Sequence, residues 1–149
     1  GWLGTAQSVA STLGVQVKQT SVYGCPGADD NGDDNADMVI GFFCGGSQAS
    51  RNEVNMLTTH PEWPAVERSP LLVDYTKHEL AHRSIMIVCG TTEPEIAANR
   101  TEAVANSYAV QFLGASRERI AGSQQGLAAY AMDAQSDQIA QSIHNGTCA

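Results

Sequence analysis

Nowhere in the chain do about 18 apolar residues run together, so no segment is expected to cross a membrane as a helix. Basic residues are scarce: eight Lys and Arg stand against sixteen Asp and Glu, for a formal net charge of -8. Nucleic acid and anionic membrane surfaces both call for a basic face, so neither is expected as a partner. Low-complexity tracts, internal repeats and linkers are missing as well. That leaves a single domain over residues 1–149, long enough to bury a core.

The four cysteines, Cys25, Cys44, Cys89 and Cys148, include no C-x-x-C pair, which excludes a zinc ribbon and a thioredoxin-type redox motif. An even number at wide spacing fits two disulfides formed in an oxidising compartment. The preferred pairing is Cys25–Cys44, closing a Gly- and Asp-rich loop, with Cys89–Cys148 pinning the C-terminus. Buried free thiols are the alternative. The chain opens at Gly1 without Met and without a basic and apolar leader. The expectation is a mature, secreted, extracellular form from which a signal or pro-segment has been removed. Two sequons, Asn99-Arg100-Thr101 and Asn145-Gly146-Thr147, matter only in a eukaryotic secretory host.

Hydrophobic periodicity gives a mixed α+β reading. Residues 2 to 13 place Leu3, Ala6, Val9, Ala10 and Leu13 at helical steps, with Gly14 as a stop. Residues 15 to 20 alternate as a strand, and Met38 to Cys44 reads as a second. Between them, Asp29, Asn31, Asp33, Asn35 and Asp37 place oxygen donors at every second position, as part of a calcium loop would. The sixth and twelfth positions hold Asp34 and Ile40 instead of Gly and Glu, so a solvated acidic turn is the preferred reading over Ca2+. Residues 50 to 58 read as a short helix or an irregular connector, and His60 to Pro64 as loop. Helices are expected over 71–88, over 101–113, and as one long element from Ser123 to Ile143, with a short turn at 116–120.

The chemistry concentrates in His78-Glu79-Leu80-Ala81-His82, an H-E-x-x-H sequence inside the helix expected over 71–88. Residues four apart share a helix face, so His78 and His82 can grip one ion and Glu79 can meet a water beside it. Imidazole suits Zn2+, and the adjacent carboxylate is placed to take a proton as general base. Hydrolytic zinc needs a third protein ligand and an open fourth position. The extended H-E-x-x-H-x-x-G-x-x-H form is excluded, because Ile85 and Val88 occupy its last two fixed positions. Glu102 lies twenty residues beyond His82 at the start of a helix, with Asn106 four residues later on the same face. Glu93 and Glu95 are rivals for the third ligand. Tyr130, His144, Tyr108 and His60 are candidates for stabilising an oxyanion, and the sequence does not choose among them.

The stretch from His78 to Asn106 resembles the gluzincin zinc metallopeptidases, the thermolysin-like group: H-E-x-x-H, a glutamate twenty residues on, an acidic residue four beyond. The helix from Thr101 to Asn106 also resembles the E-x-x-A-N helix of small bacterial zinc proteases. The resemblance spans about thirty residues. It implies that Glu102 is the third zinc ligand and that the side chain at position 106 holds the free ring nitrogen of His78. Asn106 stands where the family has Asp; its amide oxygen still accepts a hydrogen bond but brings no charge, so the ligand is less basic. A zincin-like fold is implied, with a small twisted sheet over the metal helix and the glutamate helix and a C-terminal helix beneath. The implied activity is zinc-dependent endopeptidase action by a monomer on protein or peptide substrates, an extended substrate pairing with the strand Met38 to Phe43. So short a chain leaves little for a second lobe, so a shallow cleft and loose specificity follow. The alternative is an inactive zinc-binding interaction module, which would have no use for Glu79.

Overall fold

The helical repeat of Leu3, Ala6, Val9 and Ala10 forms α1 (Trp2–Ser11), which buries Ala6 and Ala10 completely. The computed structural model describes residues 1–25 and 40–149. The acidic series Asp29–Asp37, with its calcium reading, and the start of the second strand at Met38 and Val39 lie outside the described residues.

Gly14 turns the chain out of α1 at a φ of +73°, and β1 (Gln16–Thr20) follows. With two further strands, β2 (Gly41–Phe43) and β3 (Glu53–Leu57), the described residues form a three-stranded sheet of order β1-β3-β2. β3 runs parallel to β1, Val17 facing Val54, and antiparallel to β2, Phe43 facing Val54 from the other side. β3 corrects the expectation for residues 50 to 58. Only Ser50–Asn52 is helical, a single 3₁₀ turn, and the rest is the central strand. Val54 and Met56 alternate with Glu53 and Asn55 and are fully buried, the period of two that a half-covered strand requires.

His60 to Pro64 is also less irregular than expected. Trp63 and Pro64 open a one-turn helix, α2 (Trp63–Val66), whose first turn has no use for the N–H that proline lacks. Then come the two long helices. α3 (Leu71–Cys89) ends at Gly90 with φ +75°, and α4 (Thr101–Leu113) ends at Gly114 with φ +73°, both in the left-handed region glycine adopts freely. Alanines at 81, 105 and 109, all fully buried, let α3 and α4 approach closely, and Ile85, Val104, Ile120 and Ile143 fill the space around them.

Of the helix expected from Ser123 to Ile143 only the second half forms, and the short turn expected at 116–120 is a helix of its own. α5 (Arg117–Ser123) starts from Ser116, whose hydroxyl caps the Arg119 N–H at 3.2 Å. Gly126 then turns the chain at φ +83° and Ala128–Tyr130 makes one 3₁₀ turn. α6 (Ala134–His144) begins afresh at a capping box, the Asp133 carboxylate accepting from Ser136 N–H at 2.8 Å and the Ser136 hydroxyl accepting from Asp133 N–H at 2.9 Å. α6 lies against α4 and also touches α3.

Both expected disulfides are present. Cys25–Cys44 ties the chain ahead of β2 to its end, and Cys89–Cys148 ties the end of α3 to the C-terminus. No helix among the described residues is long and apolar enough to cross a membrane.

One buried charge locks α3 to α5. The Asp74 carboxylate, fully buried, accepts from Ser116 N–H at 2.9 Å and from Arg119 Nε at 2.7 Å. Removing the cation would strand a carboxylate out of water, a cost of about 3–5 kcal/mol for a fully enclosed pair. Arg119 is half exposed, so Arg119→Ala is expected to cost less, about 2 kcal/mol in urea unfolding. Lys18→Ala, breaking the exposed pair with Glu53, should stay within about 0.5 kcal/mol.

Candidate metal centre

α3 carries the motif on its buried side. At 3.6 residues per turn, His78 and His82 stack one turn apart, and Tyr75 sits on the same face one turn earlier. The rings of His78 and His82 lie 4.7 Å apart at right angles, and their Nε2 atoms are 3.1 Å apart. α4 brings Glu102 and Asn106 opposite them, again one turn apart. Glu102 Oε1 is 3.2 Å from His78 Nε2 and 2.6 Å from His82 Nε2. Asn106 Oδ1 is 2.7 Å from the other ring nitrogen of His78, Nδ1.

Glu79 is buried beside this group, with Oε2 3.9 Å from His78 Nε2. His78, Glu79 and His82 form a group able to hold a metal ion. Glu102 approaches both histidine nitrogens more closely than Glu79 approaches His78. Tetrahedral zinc with bonds of about 2.0–2.1 Å holds its ligand atoms roughly 3.3 Å apart. Two of the three separations among His78, His82 and Glu102 come close to that value, and the third, at 2.6 Å, is a hydrogen-bond distance.

The two carboxylates are held differently. Burial pushes Glu79 up from 4.5 to about 7; His78 opposes the rise and Glu102 adds to it. Burial would raise Glu102 too, but the charges of His82 and His78 and their hydrogen bonds to it hold it well below the usual carboxylate range. The two carboxylates are thus pushed in opposite directions.

His78, Glu79, His82 and Glu102 line a cleft that β2 lines as well, with Gly41 close to the Glu79 carboxylate. A Cβ at Gly41 would lie 3.3 Å from Glu79 Oε2 and 3.2 Å from Met56 Sδ, so the absence of a side chain there leaves room for the Glu79 carboxylate. Of the four oxyanion candidates, two reach the cleft. The Tyr130 hydroxyl lies 3.4 Å from Glu102 Oε2, and its ring is 5.9 Å from that of His78. His60 lines the cleft, its Nδ1 accepting from Glu62 N–H at 3.1 Å. Tyr108 and His144 do not line it. They meet each other on the far side of α4, the Tyr108 hydroxyl 3.2 Å from His144 Nδ1, with His144 stacked on Phe112.

Glu93 lies on the cleft rim and Glu95 on the 3₁₀ turn Glu95–Ala97, both exposed; the ion pairs at the two histidines go to Glu79 and Glu102 instead. Sequence reasoning overlooked Tyr75 and Gln124, which also line the cleft. Tyr75 was detectable as the residue three before His78 on the same face. Gln124 was not, because its approach depends on the break after α5.

Compared with protein-family models, with curated proteins and with solved structures, the chain matches none at a significant level.

Proposed function

We propose that the cleft is the active site of a secreted zinc-dependent endopeptidase of the gluzincin type on a zincin-like fold, with Glu102 as third ligand. The observation that carries this reading is the convergence of His78 Nε2, His82 Nε2 and Glu102 Oε1 within 3.2 Å of one another, with the Glu79 carboxylate alongside. Those three residues would hold the ion. When bound, zinc supplies Lewis-acid polarisation of the substrate carbonyl and makes a water easier to deprotonate. Glu79 takes the proton from the attacking water and delivers it to the leaving nitrogen. Asn106 keeps the His78 ring turned so that Nε2 faces the site. Tyr130, on the cleft wall, donates its hydroxyl to the oxyanion as the carbonyl becomes tetrahedral.

An extended peptide pairs with the edge of β2 away from β3, on which no strand lies among the described residues, and this lays its carbonyl across the cleft. Gly41 belongs to this arrangement. Gly41→Ala is expected to lower kcat about tenfold by displacing the Glu79 carboxylate, while the melting temperature stays within a few degrees. The two disulfides fit an oxidising compartment outside the cytosol. Protein or peptide substrates and action as a monomer complete the reading.

Elemental analysis of the purified protein, with hydrolysis of casein and of a mixed fluorogenic peptide library, tests it. One zinc per chain is expected, with cleavage that stops on chelation and returns with zinc. Zinc without cleavage of any peptide would favour an inactive binding module; no zinc would return α3 to an ordinary helix.

A further inference from the structure

Asn106 is fully buried in α4 and uses both ends of its amide. Its Nδ2 donates to Gln124 Oε1 at 2.8 Å and to the backbone carbonyl of Tyr130 at 3.0 Å, while Oδ1 meets His78 Nδ1 at 2.7 Å. A backbone carbonyl can only accept, so the atom facing Tyr130 must be the nitrogen, and the amide has one possible orientation. Oδ1 therefore faces His78 and can only accept, which puts the ring proton on Nδ1. The ring is thereby turned so that Nε2 faces His82 and Glu102. The orientation of the histidine ring thus traces back to a carbonyl on another segment.

That segment, from Gln124 to Tyr130, is the break between α5 and α6. It contains Gly126 at φ +83° and one 3₁₀ turn, and most of its residues are exposed. A stretch so built draws its order from few hydrogen bonds. It also supplies Gln124, Leu127 and Tyr130 to the cleft wall.

We infer that Asn106 is a positioning residue that couples the two: its amide orders the cleft wall that carries Tyr130 and, through the same group, presents His78 for metal binding. The inference rests on the zinc reading above and explains the amide at position 106. An aspartate would still accept from His78, but it would turn an oxygen toward the Tyr130 carbonyl, losing one bond and setting two acceptors against each other. Gln124 can rotate its own amide to suit; a backbone carbonyl cannot.

Amide hydrogen exchange over residues 124–131 tests the coupling, first without metal and then with zinc, in the wild type, Asn106→Asp and Gln124→Leu. In Asn106→Asp the segment is expected to exchange about tenfold faster while α3 and α4 keep their protection. Zinc should slow exchange in the segment of the wild type and do so far less in Asn106→Asp. Gln124→Leu removes a half-buried partner and leaves α4 untouched, so it reads the same loosening, to a smaller extent, if the aspartate variant does not fold. Unchanged exchange in the variants, or equal protection by zinc with aspartate at 106, would overturn the inference. Failure of the wild type to bind zinc would overturn the proposed function instead, and the metal-free comparison would still decide whether Asn106 holds the wall.

Discussion

Glu79→Gln is expected to abolish peptide hydrolysis, lowering kcat by about 10²–10⁴-fold, while the protein still binds one zinc. The substitution keeps the size of the side chain and removes its ability to take a proton. Glu79 is the farther carboxylate from His78 Nε2, at 3.9 Å against 3.2 Å for Glu102, so losing its charge should leave the donor set in place. Stability should hold or rise in the metal-free protein. Burial already disfavours the charged form of Glu79, and a neutral amide avoids that cost. Steady-state kinetics beside metal content measures both. Full activity in the glutamine variant would remove Glu79 as general base; loss of zinc along with activity would make it a ligand.

The second large effect is at Glu102. Glu102→Ala is expected to weaken zinc by more than about 100-fold, beyond the roughly 10–100-fold typical of residues that only support a ligand. Competition with a chromophoric chelator reads the change. Glu102 Oε1 contacts both histidine nitrogens, and without it two imidazoles remain to hold the ion. Glu93→Ala and Glu95→Ala serve as controls and should bind zinc as the wild type does, because neither carboxylate forms an ion pair with either histidine. Zinc lost with Glu93 and kept without Glu102 would reassign the third donor.

Much of the site could be read from the sequence because helix periodicity is short-range geometry. His78 and His82, and again Glu102 and Asn106, are four residues apart, which fixes a shared face whatever the tertiary fold. The same arithmetic applied to Tyr108 would have removed it from the oxyanion candidates. Six residues past Glu102, at about 100° per residue, it points away from the glutamate face, where it packs with Phe112 and His144. His144 went unrecognised as remote for a different reason: the place of α6 depends on the break before it.

That break and β3 mark where local pattern ran out. β3 is five residues long, and only Val54 and Met56 carry its alternation, too little to outweigh the polar residues before it. The alanine-rich run from Leu127 to Ala134 has the propensity to continue a helix. Gly126 and the Asp133–Ser136 capping box override it, and the capping pair was visible in the sequence. What the sequence could not reveal is that this interruption carries Gln124 and Tyr130 back to Asn106. The two disulfides, by contrast, are the pairing preferred among the three that four cysteines allow.

The most direct test of the central claim is an anomalous difference map collected at the zinc edge from crystals of the zinc-loaded protein. The account predicts one strong peak per chain, bonded at about 2.0–2.2 Å to His78 Nε2, His82 Nε2 and a Glu102 oxygen, with Glu79 outside bonding distance. A peak elsewhere, or one at the histidines ligated by Glu79 with Glu102 turned away, would contradict it.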